Sequence, residues 1–215
     1  MSNEYILNPI DDYLNGLIVV SSRSRKGEEH EYDSICVLLD IYEHLYKDTD
    51  LLYYNTANKD EFGNFSTENY SVRGPMCPND GEEIQFWKTE YFDIEYFIVN
   101  LDRIPKDVQF IDFLLMDYER FNGASDDVCT WNWQDYEIEI FKVNNRNDIL
   151  GKNTVVHEKP FLKYNFCQKD ILTVNIKEQP HCRFGRLQRC ENGWGYIPIW
   201  EGIRDIEEKL NNYIR

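Results

Sequence analysis

FDIEYFIVNLDRIPKDVQFIDFLL, residues 92–115, carries the reading of the fold. Phe97, Val99 and Leu101 alternate with Ile98, Asn100 and Asp102, the period of a strand, and a turn around Pro105 leads into an apolar run over residues 110–116. The stretch reads as a strand pair with Asp93 and Glu95 at its mouth. Carboxylates at a loop–strand junction suit a hard cation, because Ca²⁺ collects about six to eight oxygen ligands.

Working outward, further strands are expected at 17–20, 35–39 and 51–54, and Tyr136, Ile138 and Ile140 alternate with Glu137 and Glu139 as a half-buried strand with one wet face. Between residues 55 and 81, Gly63, Gly74, Pro75, Pro78 and Gly81 sit among Asn, Ser and Asp, so the chain should make a long excursion with at most a brief edge strand. Residues 161–166 and 171–176 are expected as strands, and WGYIPIW at 194–200 as core and edge closure. Ile199, Ile203, Ile206, Leu210 and Ile214 recur at helical spacing opposite Arg204, Asp205, Glu208 and Asn211, which predicts an amphipathic C-terminal helix on the sandwich edge. Together with 15 Tyr, 12 Phe and 5 Trp, residues suited to pleated surfaces, the pattern predicts an all-β fold. The expectation is a two-sheet antiparallel β-sandwich, a single domain over residues 1–215, with Ile35, Val37, Leu39, Val99, Leu101, Phe113 and Ile138 in the core.

Asp and Glu number 39 against 23 Lys and Arg, a net charge of −16. Such a field repels phosphate backbones and anionic headgroups, so neither nucleic acid nor membrane insertion is expected, and excess carboxylate also keeps a protein soluble. Six cysteines at 36, 77, 129, 167, 182 and 190 form no Cys-x-x-Cys pair, and Cys36 reads as a small buried hydrophobe. The opening MSNEYILNPIDDY has neither a basic start nor an apolar run. A cytoplasmic location is expected. His181, Cys182 and Cys190, with Cys167, lack a recognised zinc spacing, and His30 and His157 have no nucleophile motif beside them. Trp131, Trp133 and Tyr136 could stack a ligand but more commonly pack between sheets. No enzyme is expected.

Four segments, in order, resemble the TerD family of bacterial tellurium-resistance and stress proteins. YDSICVLLD at 32–40 resembles its early Asp-bearing strand, and DLLYYN at 50–55 its Asp-x-x-x-Tyr-Asn signature. Asp93, Glu95, Val99, Asn100, Leu101, Ile104, Pro105, Asp107 and Val108 follow its acidic cluster, strand and Val-Pro turn. FGRLQRCENGW at 184–194 resembles its closing strand–turn–strand with Arg and Trp. The resemblance spans roughly residues 32–202 with gaps, and by comparison the chain carries an inserted hairpin near 155–167.

The resemblance implies a non-enzymatic binding or scaffold module working with proteins of a stress-response system, and a Ca²⁺ site. Carried over residue by residue, the ligands are Asp33, flanked by Glu31, then Asp93 and Glu95. The family's middle loop matches at Gly74, but Pro75 and Met76 replace its Asp and Asn, leaving Asn79 and Asp80 to substitute, and Ile94 replaces a further Asp. The implied set Asp33, Asp80, Asp93 and Glu95 is short of carboxylates, so weak Ca²⁺ binding is expected. One alternative is an acidic decoy or immunity-type interaction module without metal, its carboxylates spread in a stripe. Another is a hydrolase with paired carboxylates across a cleft.

Overall fold

The computed structural model describes residues 13–24, 32–46, 51–52, 72–73, 84–88, 95–117, 136–143, 162–165 and 179–214. Among them are β1 (Leu17–Ser24), β2 (Tyr32–Leu39), β3 (Leu51–Leu52), β4 (Val72–Arg73), β5 (Ile84–Lys88), β6 (Glu95–Asn100), β7 (Phe110–Asp117), β8 (Tyr136–Val143), β9 (Leu162–Asn165), β10 (His181–Cys190), β11 (Gly193–Ile203) and the helix α1 (Ile206–Asn211). The strands form a six-stranded sheet in the order β4-β5-β6-β1-β8-β9 and a five-stranded sheet in the order β11-β10-β7-β2-β3, and every strand pairing is antiparallel. The fold is the expected two-sheet antiparallel β-sandwich. No helix among the described residues is long and apolar enough to cross a membrane.

Alternation explains the main core. Ile18 and Val20 of β1, Phe97 and Val99 of β6, and Ile138 and Ile140 of β8 meet Cys36 and Leu38 of β2, Phe113 and Leu115 of β7, and Phe184 and Leu187 of β10. The Phe97 and Phe113 rings meet across the interface with centroids 5.7 Å apart, and Phe113 stacks within its own sheet on Phe184 at 5.9 Å. Each such ring stabilises the fold by roughly 1.5–3 kcal/mol on leaving water. Trp194, Tyr196 and Trp200 of β11 join the same cluster from the sheet edge, as expected for closure.

The stretch over residues 92–115 is not a hydrogen-bonded pair. β6 belongs to the six-stranded sheet and β7 to the five-stranded sheet, so the turn between them crosses the sandwich. Leu101, Ile104 and Val108 bury themselves on the way over. Arg189 of β10 clamps the crossing, donating to the carbonyls of Ile104, Pro105 and Val108 at 3.0, 2.7 and 2.9 Å while its guanidinium lies 4.3 Å from the Trp194 ring centroid.

Ile35, Val37 and Leu39 are buried, but on the opposite face of β2 from the inter-sheet core. They form a second cluster with Leu114, Met116, Ile203, Ile206 and Tyr213 on the outer face of the five-stranded sheet. The chain end covers that face, rather than the sandwich edge, as a strap of residues 204–214. The helix is shorter than predicted because Ile199 and Ile203 belong to β11. A spacing of four keeps one face on a strand as well as on a helix, and pairing with β10 decides between them. The true start is Asp205, whose side chain accepts from Glu208 N at 3.0 Å, an N-cap in an Asp-x-x-Glu setting. Ile214 falls beyond the helix and is exposed.

β8 departs from its reading too: Glu139 is buried on the supposedly wet face and bonds Lys163 of β9 at 2.9 Å. β4 is a two-residue edge strand, as expected for the 55–81 excursion. Of the hairpin proposed near 155–167, the described part is β9, the edge strand beside β8. The strand expected at 171–176 lies outside the described residues.

Gly185 interrupts the register of β10 against both β7 and β11. A Cβ there would overlap the hydroxyl and ring of Tyr196, which is buried. Gly185→Ala should therefore lower stability by about 2 kcal/mol or more, in the range of other overpacked cores. Urea unfolding checks it; a variant matching wild type would show that the Tyr196 ring can move aside freely.

Candidate functional site

The most buried charge among the described residues is Asp112 of β7, with no exposed surface. In the β7–β10 register it sits opposite Arg186, and its neighbour two residues on, Leu114, sits opposite Arg183. Two residues three apart on a regular strand face opposite sides of a sheet. The bulge at Arg183/Gly185 resets that alternation: Cys182 and Phe184 point into the inter-sheet core, as does Leu187, while Arg183 and Arg186 both reach the outer face.

There Asp112 accepts four hydrogen bonds. Arg186 Nε bonds Oδ1, while Arg186 Nη2 at 2.9 Å, Arg183 Nη1 at 3.0 Å and the Tyr213 hydroxyl at 2.9 Å all bond Oδ2. Arg186 also forks onto Glu43 through Nη1 at 2.9 Å and Nη2 at 3.0 Å, with the Phe110 ring centroid 4.5 Å from its Cζ. Arg183 Nη2 bonds Glu201 at 2.6 Å, and Glu201 takes Lys209 of α1 at 3.2 Å. Three cations and three carboxylates thus balance beneath and beside the strap.

Burial drives the Asp112 carboxyl upward, but the Arg186 hydrogen bond and the charges of Arg183 and Arg186 more than reverse this and hold it below the ordinary aspartate value. The Arg186 bond likewise lowers Glu43, against the cost of desolvation. Tyr213 is pushed up, first by burial and then by the Asp112 charge, so its phenol keeps the proton that it donates. An aspartate so filled has no lone pair spare for a substrate proton and no raised pKa for general acid work. What the arrangement does is tie the 40–46 turn, β7, β10, β11 and the strap into one unit.

Of the residues anticipated for Ca²⁺, the two that are described, Asp33 and Glu95, fall elsewhere. Asp33 is buried in β2, opposite Met116, and strand alternation gives it the outer-face parity of Ile35 and Val37. Its neighbour Ser34 faces inward and shares a 2.9 Å hydrogen bond with Ser22 of β1. Ser22 is the register partner of Glu95, so Asp33 and Glu95 belong to the same end of the sandwich, on different sheets. Asp80 and Asp93 lie outside the described residues, as do Glu31, Asn79, Trp131, Trp133, His30, His157 and Cys167. No group of three or more His, Cys, Asp or Glu among the described residues is arranged to hold a metal ion. His181 and Cys182 are adjacent on β10 and face opposite ways, and Cys190 is at its far end, roughly 25–30 Å off.

Sequence reading missed Asp112, Arg183, Arg186, Glu43 and Tyr213 as a set. Two signals were present: an acid inside an apolar run, which cannot be buried without a partner, and a lone glycine inside a strand between two arginines, which marks a bulge.

No family model matches the chain, and no curated protein matches it in sequence. Among solved structures, the chain is similar to a homologue of the telluride resistance protein TerD from Streptomyces coelicolor A3(2), at 9% identity and a TM-score of 0.48 over 89% of this chain and 92% of that one. It is also similar to a protein of unknown function, at 9% identity and a TM-score of 0.47 over 89% and 91% of the two chains.

Asp112→Asn should cost about 3–5 kcal/mol near pH 7, because it strands two guanidiniums at a buried position. The sign with pH follows from the lowered carboxyl: its contribution is complete above the ordinary value of 3.8 and is lost as pH falls through the lower folded value. Urea unfolding between pH 7 and pH 3 should show a shallower acid loss in Asp112→Asn than in wild type. Equal slopes would remove Asp112 as a source of the acid sensitivity. Tyr213→Phe should cost about 1–2 kcal/mol and keep most of the acid loss, because both guanidiniums still hold Asp112 ionised.

Proposed function

We propose that the chain is a non-enzymatic binding or scaffold protein of TerD type, cytoplasmic, acting with proteins of a stress-response system such as one conferring tellurium resistance. What supports the non-enzymatic part of this reading is the filled coordination of Asp112: the most buried carboxylate among the described residues is held rigid by arginines that neutralise it, instead of being poised for proton transfer. Recognition then falls to the surface, which the net charge of −16 makes strongly acidic.

Within that reading, Asp33, Asp80, Asp93 and Glu95 supply oxygens to a weak Ca²⁺ site. The bond between Ser22 and Ser34 sets the strand bearing Asp33 at the same end of the sandwich as the strand paired with Glu95, with Asp33 itself turned to the outer face, so Glu95 and its neighbours carry more of the proposed site than Asp33. Bound Ca²⁺ would screen mutual repulsion among the carboxylates and brace that end of the sandwich.

Calcium titration followed by thermal unfolding tests the reading. A ligand binding only the folded state stabilises it by roughly 2.7 kcal/mol at a hundredfold excess over Kd, so even a weak site registers at millimolar Ca²⁺. The melting temperature should rise more with Ca²⁺ than with Mg²⁺, which demands stricter geometry. Asp93→Asn and Glu95→Gln should each shrink the difference. No calcium-specific rise would leave a metal-free acidic interaction module, and a rise indifferent to both substitutions would put the ligands elsewhere.

A further inference from the structure

Three large apolar side chains stand exposed on the described surface: Ile41 at 61%, Tyr42 at 74% and Ile214 at 53%. They come from places 170 residues apart in the chain, yet the fold brings them to one neighbourhood. Leu45 N donates to Tyr213 O at 2.6 Å, which seats the 40–46 turn against the end of the strap. Arg186 repeats the link from below, holding Glu43 of the turn and, through Asp112, the Tyr213 side chain next to Ile214.

The turn is also stiff. Asp40 Oδ1 accepts from the backbone N of Tyr42 and His44 at 2.8 and 3.0 Å, and Asp40 O accepts from Glu43 N at 3.1 Å. Glu43 holds φ at 62°, in the left-handed region that side chains seldom adopt. Its paired hydrogen bonds from Arg186 hold it there. Exposed Ile and Tyr on a mobile tip could fold back onto the body; on a braced turn they stay out, so a partner pays little ordering entropy to meet them.

Charge selects the partner. Asp205, Glu207 and Glu208 outnumber Arg204 among the exposed charges of the strap, and Ile214 follows them closely, its N bonded to Asn211 O and Asn212 N to Glu208 O. The one lysine of α1, Lys209, is turned to Glu201. A second copy of this chain would bring −16 against −16, and an anionic membrane would be repelled in the same way. An apolar surface with an acidic surround is complementary to a segment that is apolar on one side and basic on the other.

We propose that Ile41, Tyr42 and Ile214 form a docking surface for a basic amphipathic segment of another protein. The proposal rests on the reading of the chain as a binding module and adds the surface and the chemistry of what it takes. The probe is a synthetic amphipathic Lys/Leu helix, with a scrambled peptide of identical composition as its control, titrated calorimetrically at physiological salt, where exposed charges separated by more than about 8 Å are largely screened.

Wild type should bind the amphipathic peptide and bind the scrambled one at least about tenfold more weakly, and the triple variant Ile41→Ser, Tyr42→Ser, Ile214→Ser, with its net charge unchanged, should lose that preference. Glu207→Lys with Glu208→Lys should weaken binding and flatten its salt dependence. Equal affinity of the triple variant and wild type, or of the two peptides, overturns the proposal by reducing the attraction to net charge. A wild-type dimer that the triple variant dissolves overturns it in favour of a second copy. A calcium-specific thermal shift that survives in the triple variant separates failure of this surface from failure of the broader reading.

Discussion

Asp112 can be buried only because two arginines arrive on its side of the sheet, and they arrive only because β10 is bulged at Gly185. An unpaired carboxylate in that position would cost several kcal/mol. Once the pairing is made, the rest of the outer face organises around it. Tyr213 brings the strap down, Glu43 brings the 40–46 turn across, and Glu201 with Lys209 fastens α1 beside them. The apolar residues of β2 and β7 beneath then form a second buried layer outside the sandwich proper.

The strands were legible where one physical signal acted alone. Phe97 and Val99 alternate because one face of β6 is core, and the run 35–39 is unbroken because β2 is buried on both faces. Pro105 marked a turn correctly, but local pattern carries no information on whether the next strand pairs with the last or crosses to the facing sheet. The C-terminal spacing misled for a definite reason: Ile199 and Ile203 satisfy both periods, pairing with β10 carries them into a strand, and the helix starts only after its cap at Asp205. The buried network was hidden by distance along the chain. Asp112 and Arg186 lie 74 residues apart, and no composition or spacing argument pairs one acid among 39 with one base among 23.

Charge is distributed between two roles in this protein. Around Asp112 it is neutralised, each guanidinium facing carboxylates and the buried carboxylate facing guanidiniums and a phenol. Arg189 is a variation on the same economy, since it meets neutral carbonyls instead and is drawn downward in pKa by desolvation alone. The acidic excess is therefore displayed outside, where it acts over distance on whatever approaches. A rigid interior and an acidic surface are compatible demands on one sandwich, and Glu43, half exposed yet bonded to Arg186, belongs to both.

The bulge has a consequence for strand registration. A sheet in which both faces of a strand are apolar offers little to distinguish one alignment from the next, since a slip merely exchanges one hydrophobic surface for another. β10 escapes that degeneracy. Shifted by one residue along β7, it would set Arg186 against Phe113 with Leu187 on Asp112, or against Ile111 with Gly185 on Asp112, so neighbouring alignments are rejected by solvation before packing is tested. The local hairpin with β11 can form early, but its two guanidiniums act as a lock that admits β7 in a single alignment. Proofreading of topology is thereby built into a pair of charges that, in the finished fold, are largely withdrawn from water.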